Sequence, residues 1–151
     1  SDIGAFGFNQ TTVSLSKIHI KSAKKENISD YIEIINNYNI PVDLSLYKII
    51  IIQDNKEKIF VFPIGTQLPR MGNLFISNKY LNFIKISPKN YVVGGMPKLN
   101  EQQTTIKLVN AGGDILDEYT YSGLETAAKN ITFKSNQIND KSLVKWQLIT
   151  N

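Results

Sequence analysis

Hydrophobic and polar residues alternate along most of the chain from residue 13 onward, in short runs that turn residues separate. Alternation with a period of two, in runs rich in β-branched and aromatic residues, is typical of β-strands. In the first run Ile18 and Ile20 share one face, whereas Leu15 has the opposite parity. This change of parity predicts a bulge near Ser16. No segment has a sustained helical period, so the pattern predicts an all-β chain.

The pattern predicts about nine strands. They are residues 13–21, 31–36, 46–53, 58–62, 73–77, 104–109, 115–121, 131–134 and 143–149. Residues 83–86 and 91–93 are candidates for two further short strands. Short strands with turns at this spacing are typical of an antiparallel β-sandwich of the immunoglobulin-like kind, and a barrel is the alternative that the pattern leaves open. We expect residues 1–12 to be a lead-in segment and residues 13–151 to form one β-sandwich domain.

The amino-acid composition excludes several kinds of catalytic and metal site. The 151 residues include no cysteine and one histidine. Disulfides, thiolate metal sites, thiol catalysis and an ordinary zinc site are therefore excluded. The single histidine, His19, alternates with apolar residues and is expected to face solvent or a sheet edge, with no serine or aspartate at a triad spacing. We predict that the chain is not an enzyme and uses neither a cofactor nor a metal.

Carboxylates offer one further candidate for metal binding. Asp114, Asp117 and Glu118 cluster near a predicted hairpin, and Asp54 lies in another turn. Calcium can bind such a turn, but the dense alternation of aspartates that marks calcium loops is missing. We interpret these residues as turn formers and surface charges. No glycine-rich phosphate loop is present either.

The charge is moderately positive, and nearly all of it comes from lysine. The net charge is +4, and Arg70 is the only arginine. Lysines scattered along a chain are typical of a solvated surface. One concentration of them lies near the first strand and comprises Lys17, Lys21, Lys24 and Lys25. With a nearby tyrosine such as Tyr38 or Tyr80, this group could bind nucleic acid by phosphate contacts and base stacking, which we keep as the alternative function.

Four segments carry sequence motifs in a fixed order. Residues 31–36 are similar to a W-I-E-L-x-N strand, and residues 41–47 to x-V-D-L-S-G-W. Residues 62–76 are similar to F-P-x-G-T-x-L-x-P-G-x-x-x-x-I, and residues 105–121 to T-V-x-L-x-x-x-x-G-x-x-x-D-x-x-x-Y. Together, and in this order, the four segments resemble the lamin-tail family. The chain departs from these motifs at three positions. Leu46 stands where the family often has glycine, and Tyr31 and Tyr47 stand where it often has tryptophan.

Several motif residues are expected to build the fold. Leu44 and Tyr47 should fill the core, and Gly65 and Gly113 should have a positive φ or little space around them. Asn36 and Asp43 should bond to neighbouring backbone amides.

The resemblance implies a non-catalytic binding or scaffolding module. Bacterial members resemble accessory modules joined to secreted or surface-anchored enzymes, and members in nuclear lamins suggest a nucleic-acid or chromatin binder as the alternative. We therefore expect a bacterial-type member in a larger protein, with an extracellular or cell-surface location favoured and a protein or cell-surface partner. No apolar run is long enough to span a membrane as a helix. Because the sequence begins at Ser1, we expect it to be a piece of a longer protein.

Two loops carry the candidate binding residues. The loop at residues 63–72 contains Arg70 and Met71, and the loop at residues 37–43 displays Tyr38 and Ile40. Arginine, methionine and tyrosine are enriched at protein interfaces, whereas lysine is depleted there. The other possibility for both loops is that they fold back onto the core.

Overall fold

A computed structural model describes residues 13–20, 30–77, 91–93, 95–100, 102–122, 131–136 and 145–150. All regular secondary structure in these ranges is β-strand. The strands are β1 Val13–Ile20, β2 Tyr31–Asn36, β3 Val42–Asp43, β4 Lys48–Gln53, β5 Lys56–Val61, β6 Gln67–Leu68, β7 Asn73–Ser77, β8 Tyr91–Val93, β9 Thr104–Val109, β10 Ile115–Tyr121, β11 Ile131–Asn136 and β12 Lys145–Thr150.

The strands form two large sheets and a short ribbon. Sheet A has four strands in the order β10-β9-β4-β5, and every neighbouring pair is antiparallel. Sheet B has six strands in the order β12-β11-β1-β2-β7-β8. Its pairs are antiparallel except β7 and β8, which run parallel. β3 and β6 pair with each other and with no other described strand, and we call this two-stranded sheet the ribbon.

The hydrophobic core lies between the two sheets. Sheet A contributes alternate residues of its central strands, such as Ile49 and Ile51 on β4 and Ile106 on β9. Sheet B contributes Ile18 and Ile32, among others. Alternation within antiparallel strands delivers these side chains to one face of each sheet. The predicted all-β sandwich is therefore confirmed.

All nine predicted strands are present, with small shifts at their ends. The described residues contain three more: the short candidate at β8, and the two strands of the ribbon, each of which has only two residues. The other short candidate, residues 83–86, lies outside the described residues. The ribbon strands were missed because two residues cannot display an alternation.

The ribbon carries the chain from one sheet to the other. Between β2 of sheet B and β4 of sheet A the chain passes through β3, and between β5 of sheet A and β7 of sheet B it passes back through β6. The two crossings are hydrogen-bonded to each other, with Val42 opposite Leu68 and Asp43 opposite Gln67. Both crossings therefore lie side by side at one end of the sandwich.

A bulge in β1 creates a direct polar link between the sheets. The register of β1 against β2 shifts between Leu15 and Lys17, which confirms the bulge predicted near Ser16. The backbone N–H of Leu15 donates to Oδ2 of Asp117 on β10, at 2.8 Å. The carboxylate of the facing sheet therefore bonds to the backbone of β1 beside the bulge, where the ladder is disrupted.

Residues 95–100 lead from β8 of sheet B toward β9 of sheet A. Side chains of sheet A and of Asp30, which precedes β2, bond to their backbone. The buried carboxylate of Asp30 accepts the backbone N–H of Leu99 at 2.9 Å. From sheet A, Gln53 donates to the carbonyl of Lys98 at 2.7 Å and accepts the N–H of Asn100 at 2.8 Å. The Tyr121 hydroxyl donates to the carbonyl of Asn100 at 2.6 Å. These bonds satisfy backbone groups that belong to no ladder.

Replacement of Leu44 by alanine is expected to reduce the free energy of unfolding by about 2–5 kcal/mol. Leu44 is fully buried in the core, as the sequence predicted, so the substitution leaves a cavity. The measurement is chemical denaturation of the two proteins. Leu46→Ala is the matched control because Leu46 is exposed, and its effect should stay within about 0.5 kcal/mol. Equal losses for both variants would contradict the structure.

Asp117→Ala is expected to destabilise the domain by about 1–3 kcal/mol, because it removes the acceptor of the Leu15 N–H. Glu118→Ala is the control, since Glu118 is an exposed carboxylate beside it. Hydrogen exchange at the Leu15 amide provides a local measurement and should accelerate only in the Asp117 variant. Unchanged exchange there would show that this bond does not link the sheets.

Candidate functional site

Asn36, the last residue of β2, organises the loop that follows it. Its buried side chain donates to the carbonyl oxygens of Ile40 at 2.8 Å and Pro69 at 3.1 Å, and it accepts the N–H of Tyr38 at 2.8 Å. Its backbone N–H donates to the carbonyl of Gly72 at 2.8 Å. The local bond to Tyr38 confirms the sequence prediction. The bonds to Pro69 and Gly72 extend this role to the second loop.

The two loops also contact each other directly. The N–H of Met71 donates to the carbonyl of Tyr38 at 3.0 Å, and Nη1 of Arg70 donates to Oδ1 of Asn39 at 3.2 Å. Gly72 keeps the turn tight, because a Cβ at this position would lie 3.0 Å from the carbonyl oxygen of Pro69. The two loops therefore form one structural unit at the end of the sandwich.

The structure brings the four predicted binding residues onto this unit. Tyr38, Ile40, Arg70 and Met71 are all exposed, and we call them the tip patch. Met71 is 69% exposed and has a positive φ of 53°. These four side chains do not fold back onto the core, whereas Leu68 and Val42 of the same loops pack against it. Three apolar side chains and the only arginine are thus held on two hydrogen-bonded loops.

A second pair of loops joins the other end of the ribbon. Oδ1 of Asp43 accepts the Ser45 N–H at 2.9 Å and the Ser45 hydroxyl at 2.6 Å, and Ser45 Oγ accepts the N–H of Gly65 at 2.8 Å. The N–H of Leu44 donates to the carbonyl of Thr66 at 2.8 Å. The predicted role of Asp43 as a partner of backbone amides is confirmed, and so is the positive φ of Gly65, at 94°.

The pKa values of Asp43 and Tyr47 are shifted at this end of the ribbon. The side chain and then the backbone of Ser45 donate to the Asp43 carboxylate and hold its pKa below the ordinary value. Burial raises the pKa of Tyr47, and the charge of Asp43 adds to this effect. Tyr47 packs against the core, as predicted.

A sequence model of the Lamin Tail Domain family matches residues 8–123, more than half of the chain. The chain belongs to this family. No curated protein matches it. Strands β11 and β12 lie beyond the matched range, although they extend sheet B next to β1.

Residues of the second and third lamin-tail motifs hydrogen-bond to each other in the fold. The second motif provides Asp43 and Ser45, and the third provides Gly65 and Thr66, which bond to the second. Leu46, where the family often has glycine, has a φ of 65°, a region that glycine enters without steric cost. The motif positions therefore specify the crossing between the sheets.

Of the four lysines of the alternative basic surface, the structure describes only Lys17. Lys17 is half-buried on β1, where it lies opposite Glu33 of β2 and opposite position 134 of β11. Lys21, Lys24 and Lys25 lie outside the described residues, as does Tyr80. Position 134 is also a lysine, and the Glu33 carboxylate accepts the side-chain amide of Asn73 at 2.7 Å.

The prediction for His19 was wrong. The side chain is only 3% exposed, and its ring stacks on Tyr31 with the centroids 4.9 Å apart. Tyr31 in turn makes an edge contact with Phe75, which is also buried. The face of sheet B opposite the core is therefore also buried around His19, Tyr31 and Phe75, and alternation with inward isoleucines does not imply exposure there.

The acidic residues have structural partners. Asp54 accepts the Asn100 side-chain amide at 2.7 Å, and Asp114 closes a turn with Asn110. Asp117 links the two sheets. Among the residues that the structure describes, no three histidine, aspartate or glutamate side chains gather as metal ligands, and no helix is long and apolar enough to cross a membrane.

Sequence reasoning missed a second group of exposed apolar residues. Leu46 and Ile64 lie at the loops beyond the ribbon, and Ile59 and Val61 lie on β5. A leucine in a position that the family often fills with glycine was the available signal. The exposure of the β5 residues depends on which strand forms the edge of sheet A, and alternation does not contain that information.

Ser45→Ala is expected to raise the pKa of Asp43 toward its ordinary value, because it removes the hydroxyl donor. Since the folded-state pKa is lowered, ionised Asp43 stabilises the fold above the unfolded-state pKa, and this contribution is lost as the pH falls through the folded-state pKa. NMR titration of the Asp43 carboxyl carbon measures it. Thr66→Val, which removes a hydroxyl bonded to Pro63, should leave the titration unchanged.

Proposed function

We propose that this lamin-tail domain is a non-catalytic module that binds a protein partner through the tip patch, as part of a larger surface or secreted protein. The observation that carries the proposal is the buried side chain of Asn36, which bonds to both loops and so holds Tyr38, Ile40, Arg70 and Met71 at one end of the sandwich. Membership of an immunoglobulin-like family is compatible with an interaction role.

The physical advantage of this arrangement is its preorganisation. Ordering a loop when a complex forms costs conformational entropy, which reduces affinity. Here Asn36, Met71 and the Gly72 turn order the loops in the free domain. Exposed tyrosine, methionine and arginine are also residue types that interfaces favour. Exposed apolar side chains on ordered loops support recognition of another protein more than they support catalysis.

Charge pairing on sheet A favours a protein over a polyanion. Lys107 has Glu118 directly opposite in sheet A, whereas Lys17 in sheet B has Glu33 opposite on one side and Lys134 on the other. Paired charges of this kind reduce the positive potential that phosphate backbones require. The lysine-rich surface of Lys17, Lys21, Lys24 and Lys25 is the second candidate, and titration of variants at different salt concentrations separates the two.

The test begins with a photo-crosslinking amino acid at position 40 of the full-length parent protein, which captures the partner for identification. Titration of that partner should then show weaker binding for Arg70→Ala and for Tyr38→Ala, by about tenfold each, at unchanged thermal stability. Ile115→Ala is the control because it removes an exposed isoleucine on β10 of sheet A.

Full-strength binding by both tip variants would move the site elsewhere. In that case the salt dependence identifies the surface. An affinity that falls steeply with salt indicates a polyanionic partner on the lysines around Lys17, whereas a shallow dependence indicates a protein held by other loop residues.

A further inference from the structure

Strand β5 forms an exposed edge of sheet A. It pairs with β4 on one side, and no other described strand lies on its far side. Five of its six residues are exposed, and only Phe60 is buried. The first half of the strand is charged, through Lys56, Glu57 and Lys58, and the second half is apolar.

The register identifies the backbone groups on the free side. The N–H of Phe62 donates to the carbonyl of Tyr47 at 2.8 Å, in line with the β4–β5 ladder. In an antiparallel pair, every second residue counted back from Phe62 faces β4, and those between face away. The N–H and C=O groups of Glu57, Ile59 and Val61 therefore point outward. No described residue bonds to them.

The free edge is bounded by Pro63 at one end and by the turn that contains Asn55 at the other. Pro63 has no N–H, and its carbonyl accepts the N–H of Thr66 at 3.2 Å and the Thr66 hydroxyl at 2.7 Å. At the other end Asn55 lies in a turn with a φ of 59°. The free edge thus consists of residues 57–61, which is enough for one short strand.

Exposed apolar side chains concentrate at the end of this edge. Ile59 and Val61 are 48% and 44% exposed, and Leu46 and Ile64 are 50% and 81% exposed. The N–H of Leu46 donates to the carbonyl of Phe62 at 3.2 Å, so Leu46 lies beside the end of β5. Its left-handed backbone costs free energy that glycine would avoid. Natural edges are usually protected by charge, and here only the first half is.

We propose that β5 accepts an extended segment of a partner protein as an additional antiparallel strand of sheet A. The outward groups of Glu57, Ile59 and Val61 supply the main-chain hydrogen bonds. Directly opposite side chains share a face, so apolar residues of the segment meet Val61 and Ile59. An acidic residue opposite Lys58 and a basic residue opposite Glu57 complete the match. From its N-terminal to its C-terminal end, the partner segment therefore has the pattern apolar, any residue, apolar, acidic, basic.

The probe is a short peptide with the central residues isoleucine, threonine, valine, aspartate and lysine in that order. Titration into the isotopically labelled domain should shift the amide resonances of Glu57, Ile59 and Val61 and slow their hydrogen exchange. The same peptide with N-methyl groups on its isoleucine and valine amides should bind at least about tenfold more weakly, because it loses main-chain donors. No change at these amides with about millimolar peptide would overturn the proposal.

Protein variants give a second line of test. Ile59→Lys should weaken peptide binding at least about tenfold while the matched control Ile115→Lys, also an exposed isoleucine of sheet A, leaves it unchanged. Ile59→Pro removes one outward N–H and should also weaken binding, and its fold is checked by the amide spectrum. Equal binding by all three variants would overturn the proposal.

Two outcomes would assign a different occupant to this edge or a different surface to the peptide. A dimer of the domain alone that Ile59→Lys dissociates would identify a second copy as the occupant, and it would contradict the assignment to a partner segment. Peptide binding that Tyr38→Ala abolishes while Ile59→Lys leaves it intact would place the peptide on the tip patch instead. The proposal for β5 therefore stands or fails independently of the tip patch.

Discussion

The structure depends on one constraint: backbone polar groups that leave a β-ladder need another hydrogen-bonding partner. The chain leaves its ladders wherever it crosses between the sheets and wherever a strand bulges. At three of these points a polar side chain supplies the partner. Asn36 hydrogen-bonds to the backbone at one end of the ribbon, and Asp43 and Ser45 do so at the other. Asp117 hydrogen-bonds to the backbone beside the bulge in β1. An unpaired buried group costs about 1–3 kcal/mol. This cost applies at Asn36, whose side chain is buried, whereas the bonds of Asp43 and Ser45 lie at the exposed end of the ribbon.

This constraint also connects the fold with the surface. The hydrogen bonds that satisfy the crossings immobilise the loops on both sides of the ribbon, and the loops carry exposed apolar residues. Tyr38, Ile40 and Met71 lie on one side, and Leu46 and Ile64 lie on the other. Ordered loops lose little entropy on binding. The side chains that stabilise the crossings thus also preorganise the surfaces that we propose for recognition.

Local patterns predicted the strands, the bulge near Ser16, the buried Leu44 and the backbone bonds of Asn36 and Asp43, because each of these depends on residues close in sequence. The failures involve long-range partners. His19 was expected at the surface, but a second buried face of sheet B encloses it. Asp117 was interpreted as a surface charge, but its partner lies 102 positions away. The tip patch was predicted from residue types, whereas its assembly by Asn36 required the structure.

The two proposed surfaces differ in what they can discriminate. The tip patch presents side chains only, so its selectivity rests on the shape and chemistry around Tyr38, Met71 and Arg70. The β5 edge presents backbone groups that any extended chain can pair with, so its selectivity must come from side chains next to the ladder. Lys58 and Glu57 supply that selectivity, because a strand with like charges opposite them is disfavoured. The charged half of β5 disfavours pairing with most strands, and the apolar half favours a strand with matching side chains. Together they would protect an open edge from general aggregation.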